Sequence, residues 1–385
     1  MDGFKARITR VETVPLRIPF STPFKIAQGA ARPFAEVFIV RLHTDAGVEG
    51  IGETQAWRRQ GSSETLHSLQ ATVRDHFTAL LVGRSPFEAN AIMPALEDAV
   101  YHSLYAQAAV SDALFDLQGK LLGVPVHALL GGRCREGLSA CAVLPMKPTV
   151  EETVAHAARL FEEGFRSFTI KVGVDPAADF VNVRELRRQL GEDAILRVDA
   201  NAGMDFDGAI ALLRRLEPFG LDAAEQLLPA WDLQGMAELA RRTPVPLMAD
   251  ECMSTDHDLI DIIRSRAASV VQTKIAKNGG IWHVRRLWPI ASAAGLRIYP
   301  GNHPSTSVAT AASLHLGASW AGPLLEGAFA VGLMNLAEDI VRRPLVMRGP
   351  AIAVPDGPGL GVELDERQLD KFRVSLKHLT ADPIA

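Results

Sequence analysis

Residues 194–201 read Ala-Ile-Leu-Arg-Val-Asp-Ala-Asn, a short apolar run that presents the carboxylate of Asp199 and breaks at Gly203. A single acid at a strand end is ordinarily a turn former or a helix cap. The same event recurs at Glu225 and Asp250, each closing an apolar run about 25 residues after the last. A lysine stands about one period to either side, Lys171 before Asp199 and Lys274 after Asp250. Ionisable strand ends at one period describe a repeating unit whose strand tips converge on one site.

Outward from this stretch the pattern is strand and helix in alternation. Strand-like runs end near Leu144, Lys171, Asp199, Glu225, Asp250, Lys274, His303 and Glu326. Helical patterns fill the intervals, such as 151–163, 180–190, 207–216, 232–241, 256–266 and 280–294. Short buried strands alternating with amphipathic helices imply parallel βαβ units. Eight such units predict a (β/α) barrel over 134–345. An open doubly wound sheet is disfavoured, since no Gly-rich dinucleotide fingerprint follows the first strand.

The chain before the barrel has a different grammar. Residues 7–20 alternate polar and apolar, and runs at 36–43 and 48–53 flank the hairpin signal Asp45-Ala46-Gly47. Polar loops are expected at 21–33 and 56–61. Ser62 is the candidate cap of a long helical run, with further helices at 86–100 and 103–122. Three strands followed by three helices predict an α+β domain over 1–133. The turn-rich stretch 354–364 belongs to a tail, 346–385, placed to return to that domain.

Composition narrows the function classes. A chain of 385 residues, 48% hydrophobic and 22% charged, suits a barrel plus a smaller domain. The net charge of -5 gives no basic footprint for nucleic acid. Cys134, Cys141 and Cys252 are too few and too irregular for a disulfide framework or a thiolate zinc site, which fits a reducing compartment. The N-terminal residues run straight into a strand pattern, unlike a signal peptide, and no apolar run approaches the roughly 18 residues of a membrane span. The expectation is a cytoplasmic enzyme with a small-molecule substrate.

In a barrel the C-terminal strand ends form the active-site face. Residues two apart share a face, so Arg197, Asp199 and Asn201 point together, as do Thr169 and Lys171, and Gln272 and Lys274. The acids fall on successive strands, the third, fourth and fifth. Three adjacent carboxylates raise one another's pKa unless a cation stands between them. An all-oxygen donor set selects Mg2+, with Mn2+ as a substitute, over zinc. The lysines fall on strands 2 and 6, across the barrel from each other. Lysine is a poor base at its free pKa of about 10.4, but burial and nearby cations depress that value. Two such bases flanking a metal-bound carboxylate suit removal of its α-proton, giving an enolate that the metal stabilises.

The motifs in combination resemble the enolase superfamily, specifically its muconate lactonizing enzyme subgroup. They are the stretch 113–125 (Ala-Leu-Phe-Asp-Leu-Gln-Gly-Lys-Leu-Leu-Gly-Val-Pro), the glycines at Gly131 and Gly132, Lys171-Val-Gly, Val198-Asp-Ala-Asn, Glu225-Gln, Met248-Ala-Asp-Glu, Lys274-Ile-Ala-Lys-Asn-Gly-Gly and the tail Gly357-Pro-Gly-Leu-Gly. The resemblance implies a modified (β/α)7β TIM barrel with an α+β capping domain, a required Mg2+ and a homo-oligomer. It makes Asp199, Glu225 and Asp250 the metal ligands, Lys171 and Lys274 the acid/base pair, and Lys277 structural.

One departure bears on the substrate. The subgroup carries Lys-x-Lys on strand 2, whereas this chain has Thr169-Ile170-Lys171, one positive charge fewer. A dianion such as cis,cis-muconate then depends on Lys25, Arg58 and Arg59 of the capping loops. Strand 8 offers one acid, Glu326, to meet an ammonium or donate a proton. Trp57 is a lid for a compact ring; Asn201 and Glu251 support the triad. His303 is similar to the strand-7 histidine of mandelate racemases and is either substrate-contacting or structural. These readings favour dehydration or epimerisation of a small amino-acid-like carboxylate, with a cis-3-hydroxyproline dehydratase type as the candidate. The alternatives are a muconate-type cycloisomerase and a racemase of another amino-acid derivative.

Overall fold

A computed structural model describes residues 2–25, 31–59 and 62–378. The alternating N-terminal pattern forms an antiparallel sheet of β1 (Ile8–Phe24), β2 (Arg32–Thr44) and β3 (Glu49–Gln55). β1 runs four residues into the stretch expected as loop, where Phe20 and Phe24 stack with centroids 5.1 Å apart and Phe24 pairs with Arg32. The helix Leu104–Leu122 lies against this sheet. Glycine at position 52 is required for that approach, because a Cβ there would stand 2.0 Å from the carbonyl oxygen of Ala109.

The first helical run begins later than expected. Ser62 lies in a two-residue strand paired with Arg58–Arg59, and Thr65 caps the helix Leu66–Ala71. The Thr65 hydroxyl accepts from the Ser68 amide at 3.1 Å while the Ser68 hydroxyl accepts from the Thr65 amide at 2.8 Å. That reciprocal pair satisfies two donors at the helix start.

Barrel strands 1 to 7 are Ala142–Leu144, Ser167–Lys171, Ile195–Asp199, Ala223–Glu225, Leu247–Ala249, Val270–Lys274 and Arg297–Gly301. They are parallel and lie in sequence order. The eighth expected strand, ending near Glu326, does not form. An irregular segment takes its place: Leu325 N donates to Ile298 O at 2.9 Å, Asn302 N to Ala328 O at 3.2 Å, and Cys141 N to Gly327 O at 2.8 Å. The segment thus joins strand 7 to the start of strand 1 and closes the ring. Two local features account for its irregularity. Pro300 has no N–H to give to a ladder, and a Cβ at position 327 would lie 1.8 Å from the Pro300 carbonyl oxygen. The architecture is a modified TIM barrel with an N-terminal α+β domain.

The six expected helical intervals carry helices, Val150–Glu162, Pro176–Leu190, Phe206–Leu216, Leu233–Arg242, Asp256–Ser265 and Gly280–Ala293. A further helix, Ser307–Ser319, is buried along almost its whole length, so no amphipathic period announces it. From the capping domain, Glu53 accepts from Thr306 N at 2.9 Å, Thr306 Oγ1 at 2.5 Å and Ala309 N at 3.0 Å at the start of that helix. Asp112 does the same for Ile281 N at 2.9 Å. Buried carboxylates at helix N-termini satisfy orphan donors and complement the helix dipole. In the tail, Ala351–Ala353 pairs with Gly137–Ser139, and Val374 N donates to Pro15 O at 3.0 Å, so the chain returns to β1. Among the described residues no helix is long and apolar enough to cross a membrane.

Candidate active site

Parallel register sets the strand-end residues side by side. Lys171 pairs with Asp199 and Asp199 with Glu225, while Asp250 follows strand 5 by one residue. Lys171 Nζ donates to Asp199 Oδ2, and Lys274 Nζ to Asp250 Oδ2 at 2.5 Å. Asn201, with φ of 46°, folds back so that its amide N–H and its Nδ2 both reach Asp199, at 2.7 and 3.1 Å. Its Nδ2 also lies 3.4 Å from Glu251 Oε1. Gln226, with φ of 30°, accepts through Oε1 from Asp250 N at 3.0 Å and Cys252 N at 3.2 Å. Positive φ at non-glycine residues is sustained only where the surroundings over-determine it. Here the strained residues hold two of the acids in place. Buried Lys277 donates to the carbonyls of Asp250 and Met253 at 2.5 and 2.6 Å, tying strand 5 to the turn after strand 6.

The electrostatics follow from burial. Desolvation, with Asp199 and Asp250 alongside, pushes the Glu225 carboxyl well up. Desolvation and the same two acids raise Glu251 to about 8. Burial would raise Asp250 too, but the ammonium groups of Lys274 and Lys277 hold its carboxyl below the ordinary range. Burial alone would depress the two lysines. Asp199 and Glu225 outweigh it for Lys171, and Asp250, Glu225 and Glu251 for Lys274, so both sit above the ordinary lysine value. The acids that flank each amine hold its proton; depression of the lysines is the expectation for a site in which a cation offsets those acids. With the carboxylates turned to the lysines, no three His, Cys, Asp or Glu side chains among the described residues gather closely enough to hold an ion as they stand.

The strand ends open into a cavity of about 460 Å3 that includes its mouth. Lys171, Asp199, Glu225, Lys274 and Asn201 line one side, and Phe24 and Trp57 reach in from the capping domain. Trp57 packs on His303 with centroids 4.7 Å apart, and Arg32 lies over the Trp57 ring at 4.8 Å. Thr169 and His303 line the cavity as well. The Thr169 hydroxyl stands 3.3 Å from the Tyr299 hydroxyl and 3.4 Å from Cys141 Sγ. Burial, with Lys274 nearby, holds His303 well below the usual histidine value, so it is a neutral ring.

Asp250, bonded to Lys274, is not itself among the residues that line the cavity, and three further expected residues are elsewhere. Glu326 does not line the cavity, and the charges acting on it are Arg197 and Arg166, with burial raising its carboxyl. Arg197 stands two residues before Asp199, opposite Thr169 in the strand register. Lys25 is exposed and away from the cavity, and Glu251 stands behind Asp199 and Asp250. The side chains of Arg58 and Arg59 lie outside the described residues. Conversely, Tyr299 and Asn302 line the cavity without having been singled out by sequence, and Gln272, placed by alternation on the face of Lys274, lines it as well. The two-residue alternation carries the signal for Gln272, beneath Lys274, and through the strand register for Tyr299, which pairs with it. Asn302 lies past a strand end, where alternation no longer speaks.

A parallel barrel with acids and lysines at its strand ends defines an enzyme that works on a small molecule at the C-terminal face of its strands. Comparison with known proteins makes this specific. Residues 8–131 match the family model "Mandelate racemase / muconate lactonizing enzyme, N-terminal domain", and residues 152–368 match "Enolase C-terminal domain-like". Chloromuconate cycloisomerase of Cupriavidus pinatubonensis is 35% identical over 87% of this chain and 90% of its own. N-succinyl-L-Arg/Lys racemase of Bacillus cereus is 30% identical over 96% of the chain and 98% of the relative. The crystal structure of muconate lactonizing enzyme from Pseudomonas fluorescens with muconolactone superposes with a TM-score of 0.91 at 32% identity, covering 96% of this chain and 100% of that one. The chain belongs to the enolase superfamily, in its muconate lactonizing enzyme subgroup. It is an enzyme of the isomerase or lyase type.

Proposed function

We propose that the enzyme removes the α-proton of a small carboxylate between Lys171 and Lys274, and that the enolate is reprotonated on its other face or loses a β-hydroxyl. What carries this reading is that the two amines, on strands 2 and 6, line one cavity, each against a buried acid. Asp199, Glu225 and Asp250 are the residues that would hold Mg2+, or Mn2+, since all three are buried and offer hard oxygen. When bound, the cation supplies positive charge that offsets the carboxylates and draws on the substrate carboxylate, which leaves burial free to bring the lysines toward useful basicity.

The rest of the chemistry falls to the chain itself. One lysine, as the free amine, takes the α-proton; the opposed ammonium returns a proton to the other face, giving epimerisation. In dehydration the ammonium instead protonates the departing hydroxyl. Asn201 keeps Asp199 oriented, and Trp57 covers the cavity from the capping domain. The substrate in this reading is amino-acid-like, with cis-3-hydroxyproline as the candidate. Two of its motives stand, the neutral Thr169 and the Trp57 cover; Glu326, outside the cavity, no longer contributes. The assay is incubation with Mg2+ and hydroxyproline isomers in D2O, where α-deuterium or a cyclic imine product is expected. Finding neither removes the candidate.

A second reading, muconate-type cycloisomerase, draws on the 35% identity to chloromuconate cycloisomerase. Loss of ultraviolet absorbance from cis,cis-muconate is its direct assay. A cytoplasmic homo-oligomer completes the proposal, and sedimentation of the purified chain measures the subunit number.

A further inference from the structure

Three rings from the two domains meet at one wall of the cavity. His303 stands two residues past barrel strand 7, is 4% exposed, and has an Nδ1 without a hydrogen-bond partner. Two capping-domain rings pack on it. Trp57 lies at 4.7 Å between centroids with a tilt of 33°, and Tyr105 at 5.6 Å with a tilt of 30°. Burial keeps the imidazole neutral, so it meets both neighbours as an uncharged ring. Aromatic pairs at these separations contribute beyond the area they bury. Trp57 and His303 line the cavity whereas Tyr105 does not, so Tyr105 reaches the site only through them.

Tyr105 is itself well held. It opens the helix Leu104–Leu122, is 3% exposed, and its amide donates to Glu64 Oε2 at 2.8 Å. The helix approaches β3 so closely that a Cβ at position 50 would stand 2.3 Å from Ala113 O. Glu64 in turn lies seven residues after Trp57 in the chain. The contacts therefore close a circuit, from Trp57 to His303, from His303 to Tyr105, from the Tyr105 amide to Glu64, and along the chain back to Trp57.

We infer that Tyr105 is a positioning residue: through the ring of His303 it fixes where Trp57 lies over the cavity. The inference builds on the cover assigned to Trp57 above and adds what sets its place. Without the Tyr105 ring, His303 is free to change rotamer, and Trp57 loses its fixed neighbour.

The test reads Trp57 directly. The chain has 5 tryptophans, and subtracting the emission of the matching Trp57→Phe protein isolates the signal of this one. In Tyr105→Leu that signal is expected to shift to the red and to be quenched more steeply by acrylamide. Tyr105→Phe keeps the ring and is expected to keep the wild-type signal. Leu117→Ala, on the same helix with its side chain against β3, loosens the helix away from the rings and is expected to leave the signal unchanged. In a His303→Leu background, adding Tyr105→Leu is expected to change nothing more, because residues that act through a shared partner are non-additive. Tyr105→Met serves if the leucine variant does not fold. With Mg2+ and cis-3-hydroxy-L-proline in D2O, Tyr105→Leu is expected to raise KM for α-deuteration about 5-fold with kcat kept, the scale of one lost aromatic pair. An unchanged Trp57 signal in Tyr105→Leu, the same shift in Leu117→Ala, or a further shift on top of His303→Leu would overturn the inference, as would a fall in kcat equal to that in kcat/KM. No α-deuteration by the wild type would remove the hydroxyproline candidate and leave the emission result to decide on Tyr105.

Discussion

Barrel strands 2 to 6 and the segments around strands 7, 8 and 1 face each other across one cavity, and they are built by different means. On the first side Lys171, Asp199, Glu225 and Lys274 end regular strands whose register aligns them, and the charges answer one another. On the second side Asn302, His303, Ala328 and Val331 lie past strand ends or in the irregular eighth segment, and Trp57 and Phe24 arrive from another domain. There the polar atoms are neutral and some lack partners. The difference separates two tasks. Groups that move a proton need fixed mutual geometry, which adjacent strands supply. Groups that choose a substrate sit on segments whose backbone follows no repeat, where side chains vary without disturbing the ring.

The largest effect tests the charged side. Lys171→Ala and Lys274→Ala are each expected to reduce turnover by about 1,000-fold or more, the scale of a lost general acid or base. Circular dichroism should show an unchanged fold, since neither side chain caps a helix or fills the hydrophobic core. If one variant keeps α-deuterium exchange while losing product, the retained lysine faces the α-proton and the missing one serves the second step. Wild-type rates in either variant would move the chemistry off this side altogether.

The same contrast explains what was legible in the sequence. Charged residues at strand ends stand out against apolar runs, and a repeat of one βα unit spaces them evenly, so the order of residues alone marks out the lysines and acids. Thr169 and Gln272 follow from alternation. The eighth strand is not readable in that way, because Glu326 closes an apolar run as the true strand ends do. Only Pro300 and Gly327, whose backbones meet in space, show why the ladder fails. With that irregularity goes the orientation of Glu326, which needs a strand to predict. The helix Ser307–Ser319 escapes for the opposite reason, since burial on all sides removes the period that marks a helix. Pairings such as Thr65 with Ser68 depend on which of several hydroxyls meets an amide, which the order of residues around Ser62 does not decide.

A smaller effect belongs to the neutral side. Trp57→Ala is expected to raise KM about 10-fold and to leave kcat within about threefold, because removing a cover that contacts substrate and transition state alike weakens binding without touching the reacting atoms. Steady-state kinetics on whichever substrate passes the exchange assay separates the two parameters. A fall in kcat matching the loss in kcat/KM would place Trp57 among the groups that act only in the transition state, and the division between the two sides would break down there.

The smallest effect concerns what holds the neutral side to the barrel. Glu53 binds the start of the helix that follows His303, and burial raises its carboxyl to about 7 despite the hydrogen bonds donated to it by Thr306 and Ala309. Burial raises Asp112, at the Ile281 helix start, to about 8. Both values lie above those of the unfolded chain, near 4 to 4.5. Between about pH 4.5 and pH 8 the folded chain therefore holds protons that the unfolded chain has lost, and stability declines as pH rises through that window before levelling off. For Glu53 the decline is on the order of 2 kcal/mol. Thermal melts at pH 5 and pH 8 measure it, and in Glu53→Gln the difference between the two should shrink by a few degrees. A melt difference that persists in full would assign the titration to the other raised carboxyls, Asp112 at the Ile281 helix start or Glu225 and Glu251 at the strand ends. The Glu53 contact would then be neutral to pH.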